Sequence, residues 1–206
     1  MQRIDVLTEL SQLVTEEDLF ISSLGALRND WWNLRPGGQD NTFFLSGMGT
    51  VAPMALGLAL GLPHRRIVAL DTDGSVLMNA SGLATLADQL PPNLTVIVFD
   101  NSIYESIGGV PTLTSRRTDL AKMADGAGCI NCVTANETVD FAREAHRLLV
   151  DDEFGFLVAK IQPGIHSWAP EKQKLTDGVE DKYRFIRHVE ALEGIRIHHG
   201  APGPFA

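Results

Sequence analysis

Two polar stretches in the middle of the chain contain residue types that could hold a metal ion and a phosphate. Asp73-Gly74-Ser75 follows the strand-like run 66–70, and Asp100-Asn101 follows the apolar run 94–99. Asn101 lies 28 positions beyond Asp73. Carboxylate and amide oxygens are hard ligands of the kind that Mg²⁺ takes alongside phosphate oxygens. The pattern therefore indicates a site for magnesium and a phosphorylated ligand.

The elements around these residues must bring them together. Runs 66–70 and 94–99 are typical of buried parallel strands, and 76–90 between them is predicted to be a helix. In a βαβ unit the carboxyl ends of adjacent parallel strands face one crevice, where ligands bind. The spacing therefore places Asp73 and Asn101 at one edge of a sheet.

The turn at 73–75 supplies the phosphate side of this hypothesis. Free backbone N–H groups and the positive end of a helix dipole, both suited to a phosphate, are expected where a strand ends and a helix begins. Gly74 lets the backbone approach an anion without a Cβ in the way. An Asp-Gly-Ser turn alone is ordinary turn chemistry. The second polar element, at the end of the next strand, is what favours a ligand site.

These residues resemble the thiamine-diphosphate motif, a Gly-Asp-Gly turn followed further along by Asn, in the diphosphate-binding (PP) domain of thiamine enzymes. The resemblance is greatest to the small β-type subunits of sulfopyruvate decarboxylase and to the matching half of phosphonopyruvate decarboxylase. It rests on 73–75, 77–79, 92–94, 100–101, 104–109 and 111–112, with 46–49 upstream and 183–185 near the end. Thr72 replaces the first Gly of the motif, and Asp100 replaces the usual first Asn.

The resemblance implies a role for each matching residue around thiamine diphosphate and Mg²⁺. The metal ligands would be Asp73, the Asn101 side chain and the backbone carbonyl of Ile103. Gly74 and Ser75 would hold the diphosphate.

The segment 46–49 and the loop after Ile103 would complete the cofactor site. Met48, between Gly47 and Gly49, would prop the cofactor in its bent shape, and the carbonyl of Ser46 would receive the aminopyrimidine N–H. Tyr104 would also contact the cofactor.

The loop beginning at Tyr104 has two interpretations. Tyr104 or Glu105 could supply an acid–base group. Alternatively the loop closes over the cofactor, with Gly108 and Gly109 as hinges. We expect closure with some substrate contact.

A second subunit is implied, because family members activate the cofactor with a Glu from a separate pyrimidine-binding (Pyr) domain, and this chain has the size of one PP domain. We expect a subunit of a heteromeric decarboxylase for a small anionic 2-oxo acid, such as sulfopyruvate or phosphonopyruvate. An acetolactate-synthase-like carboligase half and a non-catalytic cofactor-binding or scaffold protein stay open as alternatives. Isolated, the chain is expected to form a homo-oligomer with little activity.

Composition agrees with a cytoplasmic enzyme subunit. The 206 residues, 44% of them hydrophobic, can bury one core. The net charge of −9, without a basic patch, disfavours binding to nucleic acid or to an anionic membrane. The N-terminus lacks a signal-peptide pattern, and the longest apolar stretch, 51–62, is too short to span a bilayer.

Strands and helices alternate along the chain, which predicts an α/β fold with a doubly wound parallel sheet and helices on both faces. Further strands are predicted near 19–21, 43–45 and 154–161, and further helices at 4–14, 50–62, 119–125, 138–150 and 178–192. Asn136 is predicted to cap the helix at 138–150. Cys129 and Cys132 fit the start of a strand better than a redox centre. The PP domain is assigned to 1–162, and 163–206 to an extension that packs on the domain or on a partner.

Overall fold

The computed structural model describes residues 1–35, 39–45, 47–151, 153–169, 172 and 177–197. The strands are β1 (Leu19–Ser22), β2 (Thr42–Phe44), β3 (Ile67–Thr72), β4 (Leu94–Asp100), β5 (Ile103–Tyr104), β6 (Val110–Pro111), β7 (Cys132–Ala135) and β8 (Gly155–Lys160). The helices are α1 (Arg3–Leu13), α2 (Ala26–Leu34), α3 (Val51–Gly61), α4 (Asp73–Met78), α5 (Gly82–Gln89), α6 (Leu120–Ala127), α7 (Thr138–Val150) and α8 (Gly178–Glu193).

Six strands form one parallel sheet in the order β2-β1-β3-β4-β8-β7, and β5 and β6 form a separate antiparallel hairpin. The predicted fold class, a doubly wound parallel sheet with helices on both faces, is confirmed. The chain runs from β1 outward to β2 on one side, and then returns to place β3 on the other side of β1. Such a reversal of strand order opens a crevice at the carboxyl ends of the two strands, where ligands bind in this class of fold.

Strand β4 shows how the sheet is stabilised, because all seven of its residues are buried. Val96 and Val98 face one hydrophobic cluster, which is completed by residues of α3, α5, α6 and α8. Ile97 and Phe99 face the other cluster, which is completed by residues of α1, α2 and α7. A parallel sheet covered on both faces requires such continuously apolar strands. The core therefore holds the end of β4, and the polar residues that follow it, in a fixed position.

The predicted helix over 76–90 is wrong, since the structure has two helices, α4 and α5, with a break at 79–81. The amide of Asn79 donates to the carbonyl oxygen of Gly49 at 2.8 Å, and the Ser81 hydroxyl donates to Oδ1 of Asn79 at 3.1 Å. The Asn79 side chain thus ties the end of α4 to the segment that follows β2. This contact between segments far apart in sequence accompanies the end of α4 at Met78, where a single longer helix was predicted.

Two smaller predictions have different outcomes. The N-cap of α7 is Glu137, not Asn136, and its side chain makes no capping hydrogen bond. Cys132 begins β7, in agreement with the expected start of a strand, whereas Cys129 is buried in the loop before it. Both cysteines are free thiols. The sequence also predicts a loop over 35–40, of which 36–38 lie outside the described residues.

The C-terminal helix α8 packs on the sheet. Phe185 is 7% exposed and stacks on Phe43 of β2 with 5.8 Å between ring centroids. Val189, one turn further along, lies in the same hydrophobic cluster. The division of the chain at residue 162 stays a prediction. Along the described stretches, none of the helices combines the length and apolarity needed to cross a membrane.

We expect Phe185→Ala to lower the free energy of unfolding by about 3 kcal/mol, the usual cost of truncating a buried phenylalanine. Val179→Ala, on an exposed side chain of the same helix, is the control and should change it little. Chemical denaturation followed by circular dichroism measures both. Equal, small effects would show that α8 is not part of the cooperative core.

Candidate functional site

A cavity of about 430 Å³ opens at the carboxyl edge of the sheet. Its walls come from the segments that follow β1, β2, β3, β4 and β8, so it lies at the reversal of strand order. The predicted site residues that line it are Gly47, Met48, Asp73, Gly74, Asn101, Ile103, Tyr104 and Glu105. Ser46 lies outside the described residues. The volume is in the usual range for small-molecule sites.

Asp73 is the most buried polar residue that lines this cavity, with 1% of its surface exposed. Its Oδ2 accepts a hydrogen bond from the hydroxyl of Thr112 at 2.6 Å and lies 3.2 Å from the hydroxyl of Thr114. Burial raises the pKa of Asp73, the Thr112 hydrogen bond lowers it, and the nearby Asp100 raises it again. A buried carboxylate with a raised pKa gains stability from a cation, which makes Asp73 suited to bind one.

Asn101 and Ile103 form a tight turn at the end of β4. Oδ1 of Asn101 accepts a hydrogen bond from the backbone N–H of Ile103 at 3.1 Å. Between them, Ser102 has a φ of 63°, in the left-handed region. The turn fixes the Asn101 side chain, whose carbonyl oxygen has a second lone pair for a cation. The carboxylate of Asp73 and the amide of Asn101 thus line one cavity, as predicted from their positions at strand ends.

A network below Asp73 was not predicted from the sequence. Thr114 Oγ1 lies 2.7 Å from Oδ1 of Asp100, while it also contacts Asp73. The ammonium group of Lys160 donates to Oδ2 of Asp100. Thr112 lies in a stretch that carries the family resemblance. That resemblance was the only feature of the sequence that pointed to this residue. Lys160 lies at the end of β8, and nothing in the local sequence indicates its contact with Asp100.

The hydroxyl of Ser75 has a structural role that differs from the predicted one. It is fully buried and accepts a hydrogen bond from the backbone N–H of Gly49 at 2.9 Å. It also contacts the carboxyl group of Asp71 and lowers the pKa of that group. Neither Ser75 nor Gly49 lines the cavity. Any contact of Ser75 with a diphosphate would therefore come from its backbone.

Gly49 joins the segment after β2 to α4. Its φ is 78°, and a Cβ at this position would lie 2.9 Å from the Cβ of Asn79. Glycine is required here by both the backbone conformation and the close approach. The resulting junction holds Gly47 and Met48 at the wall of the cavity, where Met48 keeps 45% of its surface exposed. This position is compatible with the predicted propping role of Met48.

Gly74 is in contact with the ring of Tyr104. A Cβ on Gly74 would lie 2.4 Å from Cε1 of that ring. The sequence suggested that glycine was needed for a bound anion, whereas in the structure an aromatic side chain already requires it. Tyr104 therefore lies directly beside the turn at 73–75, which explains why it lines the cavity.

Glu105, which also lines the cavity, is held by hydrogen bonds to two other segments. Its Oε1 accepts from the backbone N–H of Gly164 at 2.6 Å, and its Oε2 accepts from Arg3 at 3.2 Å. Arg3 also donates to Oδ2 of Asp30 at 2.8 Å, and both residues are almost fully buried. These contacts assign Glu105 the function of fastening the loop that follows β4. Gly108 and Gly109, both with positive φ, end the same loop.

The residues present fit a magnesium ion bound to a diphosphate. Asp73, Asn101 and the carbonyl group of Ile103 would supply oxygen ligands beside one cavity, and oxygen donors of this kind are those that Mg²⁺ takes together with phosphate oxygens. Within the ranges described above, the structure holds no group of three or more His, Cys, Asp or Glu residues arranged for a metal.

Gly74→Ala tests the contact with Tyr104. We expect the added methyl group to lower the free energy of unfolding by about 1–3 kcal/mol, a usual cost of overpacking. In a Tyr104→Ala background the same change should cost much less. Gly57→Ala, in a helix with open space around the glycine, is the control and should be neutral or slightly stabilising. An equal cost in both backgrounds, measured by urea denaturation, would contradict the assigned clash.

Asp71 should make the stability of the metal-free chain depend on pH. Burial raises its pKa from 3.8 to about 6. The stabilising contribution is complete below pH 3.8 and is lost as the pH rises through 6, because the folded chain then carries a buried charge. The loss amounts to about 3 kcal/mol.

Asp71→Asn should remove this dependence. The unfolding free energy of the variant minus that of the native chain should rise by about 3 kcal/mol between pH 3.5 and pH 7.5. The exposed Asp88→Asn serves as the control, and its difference should stay flat. A flat difference for Asp71→Asn as well would mean that folding leaves the pKa of Asp71 unchanged.

Comparison with known proteins identifies the family. Residues 23–159 match the family model described as thiamine pyrophosphate enzyme, C-terminal TPP binding domain. The chain is 30% identical over 162 residues to the sulfopyruvate decarboxylase subunit beta of Methanocaldococcus jannaschii, covering 79% of this chain and 85% of the relative. It is 36% identical over 127 residues to the phosphonopyruvate decarboxylase of Streptomyces viridochromogenes, covering 61% of this chain and 31% of that protein.

Solved structures show the same fold. The benzoylformate decarboxylase of Polynucleobacter necessarius superposes with a TM-score of 0.67 at 18% identity, and the 4-hydroxybenzoylformate decarboxylase of Rhodococcus jostii RHA1 with 0.68 at 19%. In both cases the match covers 79% of this chain and 33% of the larger protein, so the chain corresponds to a third of those enzymes. With two thirds of its residues matched by the family model, this chain belongs to the family of C-terminal thiamine pyrophosphate-binding domains of thiamine pyrophosphate enzymes.

Proposed function

We propose that this chain is the diphosphate-binding subunit of a thiamine-diphosphate- and Mg²⁺-dependent 2-oxo acid decarboxylase. The observation that carries this proposal is the buried carboxylate of Asp73, which lines the same cavity as the Asn101 turn, in a chain of this family. Asp73, Asn101 and the carbonyl group of Ile103 would ligate the metal. Thiamine diphosphate, when bound, supplies the electron sink that loss of CO₂ from a 2-oxo acid requires.

The residues of this chain bind and orient the cofactor. Backbone groups of Gly74 and Ser75 would contact the diphosphate, and Met48 would support the bent cofactor from the cavity wall. Tyr104 lies beside Gly74 and, with Glu105 fastened to Arg3 and Gly164, would keep water from the metal site. Exclusion of water strengthens the electrostatic interactions among the metal, the diphosphate and the carboxylate of Asp73.

We propose a 2-oxo acid with a second anionic group, of the sulfopyruvate or phosphonopyruvate type, as the substrate. Support comes from relatives with these names, above all the subunit beta that matches over 85% of its own length. Two further sulfopyruvate decarboxylase beta subunits, from Methanothermobacter thermautotrophicus and Methanococcus maripaludis, match over similar shares of their lengths.

A partner subunit with a Pyr domain is part of this proposal, and it would contribute the activating Glu. Apolar side chains beside the cavity support a covering partner. Met48 after β2 and Ile107, Val110 and Leu113 in the loop after β4 are between 45% and 67% exposed. Exposed apolar groups that are adjacent to a polar site are typical of an interaction surface. Alone, the chain would form a homo-oligomer with little turnover.

Binding of thiamine diphosphate tests the site. Isothermal titration of the chain, with and without its partner, should show binding that requires Mg²⁺. Asp73→Asn keeps the shape of the side chain but removes its charge, and should reduce Mg²⁺-dependent binding below detection. Asp88→Asn, an exposed carboxylate at the end of α5, should bind like the native chain. Undiminished affinity in Asp73→Asn would refute the metal assignment.

Activity tests the two-subunit proposal. The chain co-produced with a subunit carrying a Pyr domain should release CO₂ from sulfopyruvate or phosphonopyruvate, whereas the isolated chain should not. Full turnover by the isolated chain would show that the activating group lies within these residues. Light scattering on the same samples reports the assembly.

A further inference from the structure

Asp100 and Lys160 form a pair directly beneath the candidate metal site. Asp100 ends β4 and Lys160 ends β8, and the register of these parallel strands places the two residues opposite each other. The side chain of Asp100 is fully buried, whereas that of Lys160 is 34% exposed. The structure therefore pairs a buried carboxylate with a lysine from the neighbouring strand.

All the described partners of Asp100 are hydrogen-bond donors. Its Oδ1 accepts from the backbone N–H of Ser102 at 3.0 Å, from the Ser102 hydroxyl at 3.1 Å and from the Thr114 hydroxyl at 2.7 Å. Its Oδ2 accepts from Lys160. Carboxylate oxygens are hydrogen-bond acceptors, so these donors match the Asp100 side chain. Asp100 is thus a second negative charge close to Asp73.

Thr114 connects the two carboxylates. Its Oγ1 lies 2.7 Å from Asp100 and 3.2 Å from Asp73, and its single hydrogen can be donated to only one acceptor at a time. The shorter distance assigns this hydrogen to Asp100, so Thr112 becomes the principal donor to Oδ2 of Asp73 at 2.6 Å. The position of Asp100 therefore affects which donor orients the Asp73 carboxylate.

We propose that Lys160 is a positioning residue that sets the net charge of the metal site by neutralising Asp100. With Lys160 in place, Asp73 contributes the one uncompensated negative charge of the Asp73–Asp100 pair, which attracts Mg²⁺ without strongly repelling the diphosphate. Without Lys160, two negative charges would strengthen the binding of a cation and weaken that of the anionic cofactor. This inference rests on the proposed function, because it takes Asp73 as the metal ligand.

We expect neutralising Lys160 and neutralising Asp100 to change the affinity for a metal ion in opposite directions. Mn²⁺ serves as a paramagnetic probe for the metal alone, and thiamine diphosphate is then titrated at saturating Mn²⁺, both on the full chain. Lys160→Met should tighten Mn²⁺ binding about tenfold, because it leaves Asp100 without a counter-charge at close range. Asp100→Asn should weaken Mn²⁺ binding about tenfold, because it leaves the lysine charge uncompensated. The affinity for thiamine diphosphate should change in the reverse direction in each variant.

The double variant Asp100→Asn/Lys160→Met should return both affinities to values near those of the native chain. Lys160→Arg keeps the charge and should behave like the native chain. Lys160→Gln removes the charge but keeps a polar side chain, and should behave like Lys160→Met. Lys122→Met, which removes an exposed lysine paired with Asp119 on α6, is the matched control and should leave both affinities unchanged. Circular dichroism and thermal unfolding of the metal-free proteins establish that every variant is folded.

Two results would overturn the inference, and they are distinguishable. If both single variants bind Mn²⁺ more weakly and the double variant is no better, the pair is merely structural, while the proposed function stands. If Asp73→Asn binds Mn²⁺ as well as the native chain does, the metal site itself is wrong, and this inference fails with it. Changes of opposite sign that cancel in the double variant would support it.

Discussion

The central constraint on this structure is the burial of the Asp73 carboxylate at the carboxyl edge of the sheet. A buried charge is costly unless donors or a cation compensate for it, and here Thr112 donates to one of its oxygens while the Thr114 hydroxyl lies 3.2 Å from the same oxygen. Those threonines follow the β5–β6 hairpin, which in turn begins at the Asn101 turn. The hairpin thus returns the chain to Asp73. The hydrogen bond from Thr112 to the Asp73 carboxylate helps to hold the loop after β4 in place.

A second set of contacts fastens the same loop from the other side. Glu105 receives hydrogen bonds from Arg3, near the N-terminus, and from the backbone of Gly164, which follows β8. Asp30 completes the set by pairing with Arg3 and accepting a hydrogen bond from Trp168. Four segments far apart in sequence therefore meet around Glu105. The loop after β4 is thus tied by hydrogen bonds both near Asp73 and at Glu105.

Charge compensation is a recurrent feature of this edge of the sheet. Asp71, Asp73 and Asp100 are buried at the carboxyl ends of two adjacent strands, and each is stabilised differently. Burial keeps the pKa of Asp71 near 6, Asp73 is oriented by threonine hydroxyls, and Asp100 is paired with Lys160. A cation near Asp73 would reduce the repulsion among these groups. The fold therefore brings together three buried carboxyl groups that a bound cation would stabilise.

Local patterns in the sequence specify the fold class and the composition of the candidate site. Continuous apolar runs such as 94–99 are typical of buried parallel strands, and polar residues directly after such runs must lie at one edge of the sheet. Asp73 and Asn101 could therefore be placed at one edge of the sheet from the amino-acid sequence alone, whereas Ile103 came from the family resemblance, and the metal-ligand role of all three stays a prediction. Local pattern and the resemblance of short motifs were sufficient, because each of these signals lies within a few residues.

The way these residues are held depends instead on tertiary packing. The break between α4 and α5 depends on Asn79 reaching Gly49, and the hydroxyl of Ser75 is directed to Gly49 and Asp71 instead of the cavity. Lys160 meets Asp100 across 60 positions, through the register of two strands. Helix periodicity and turn propensity describe neighbours along the chain. Contacts between distant segments follow from how the sheet and its helices pack, which no local pattern encodes.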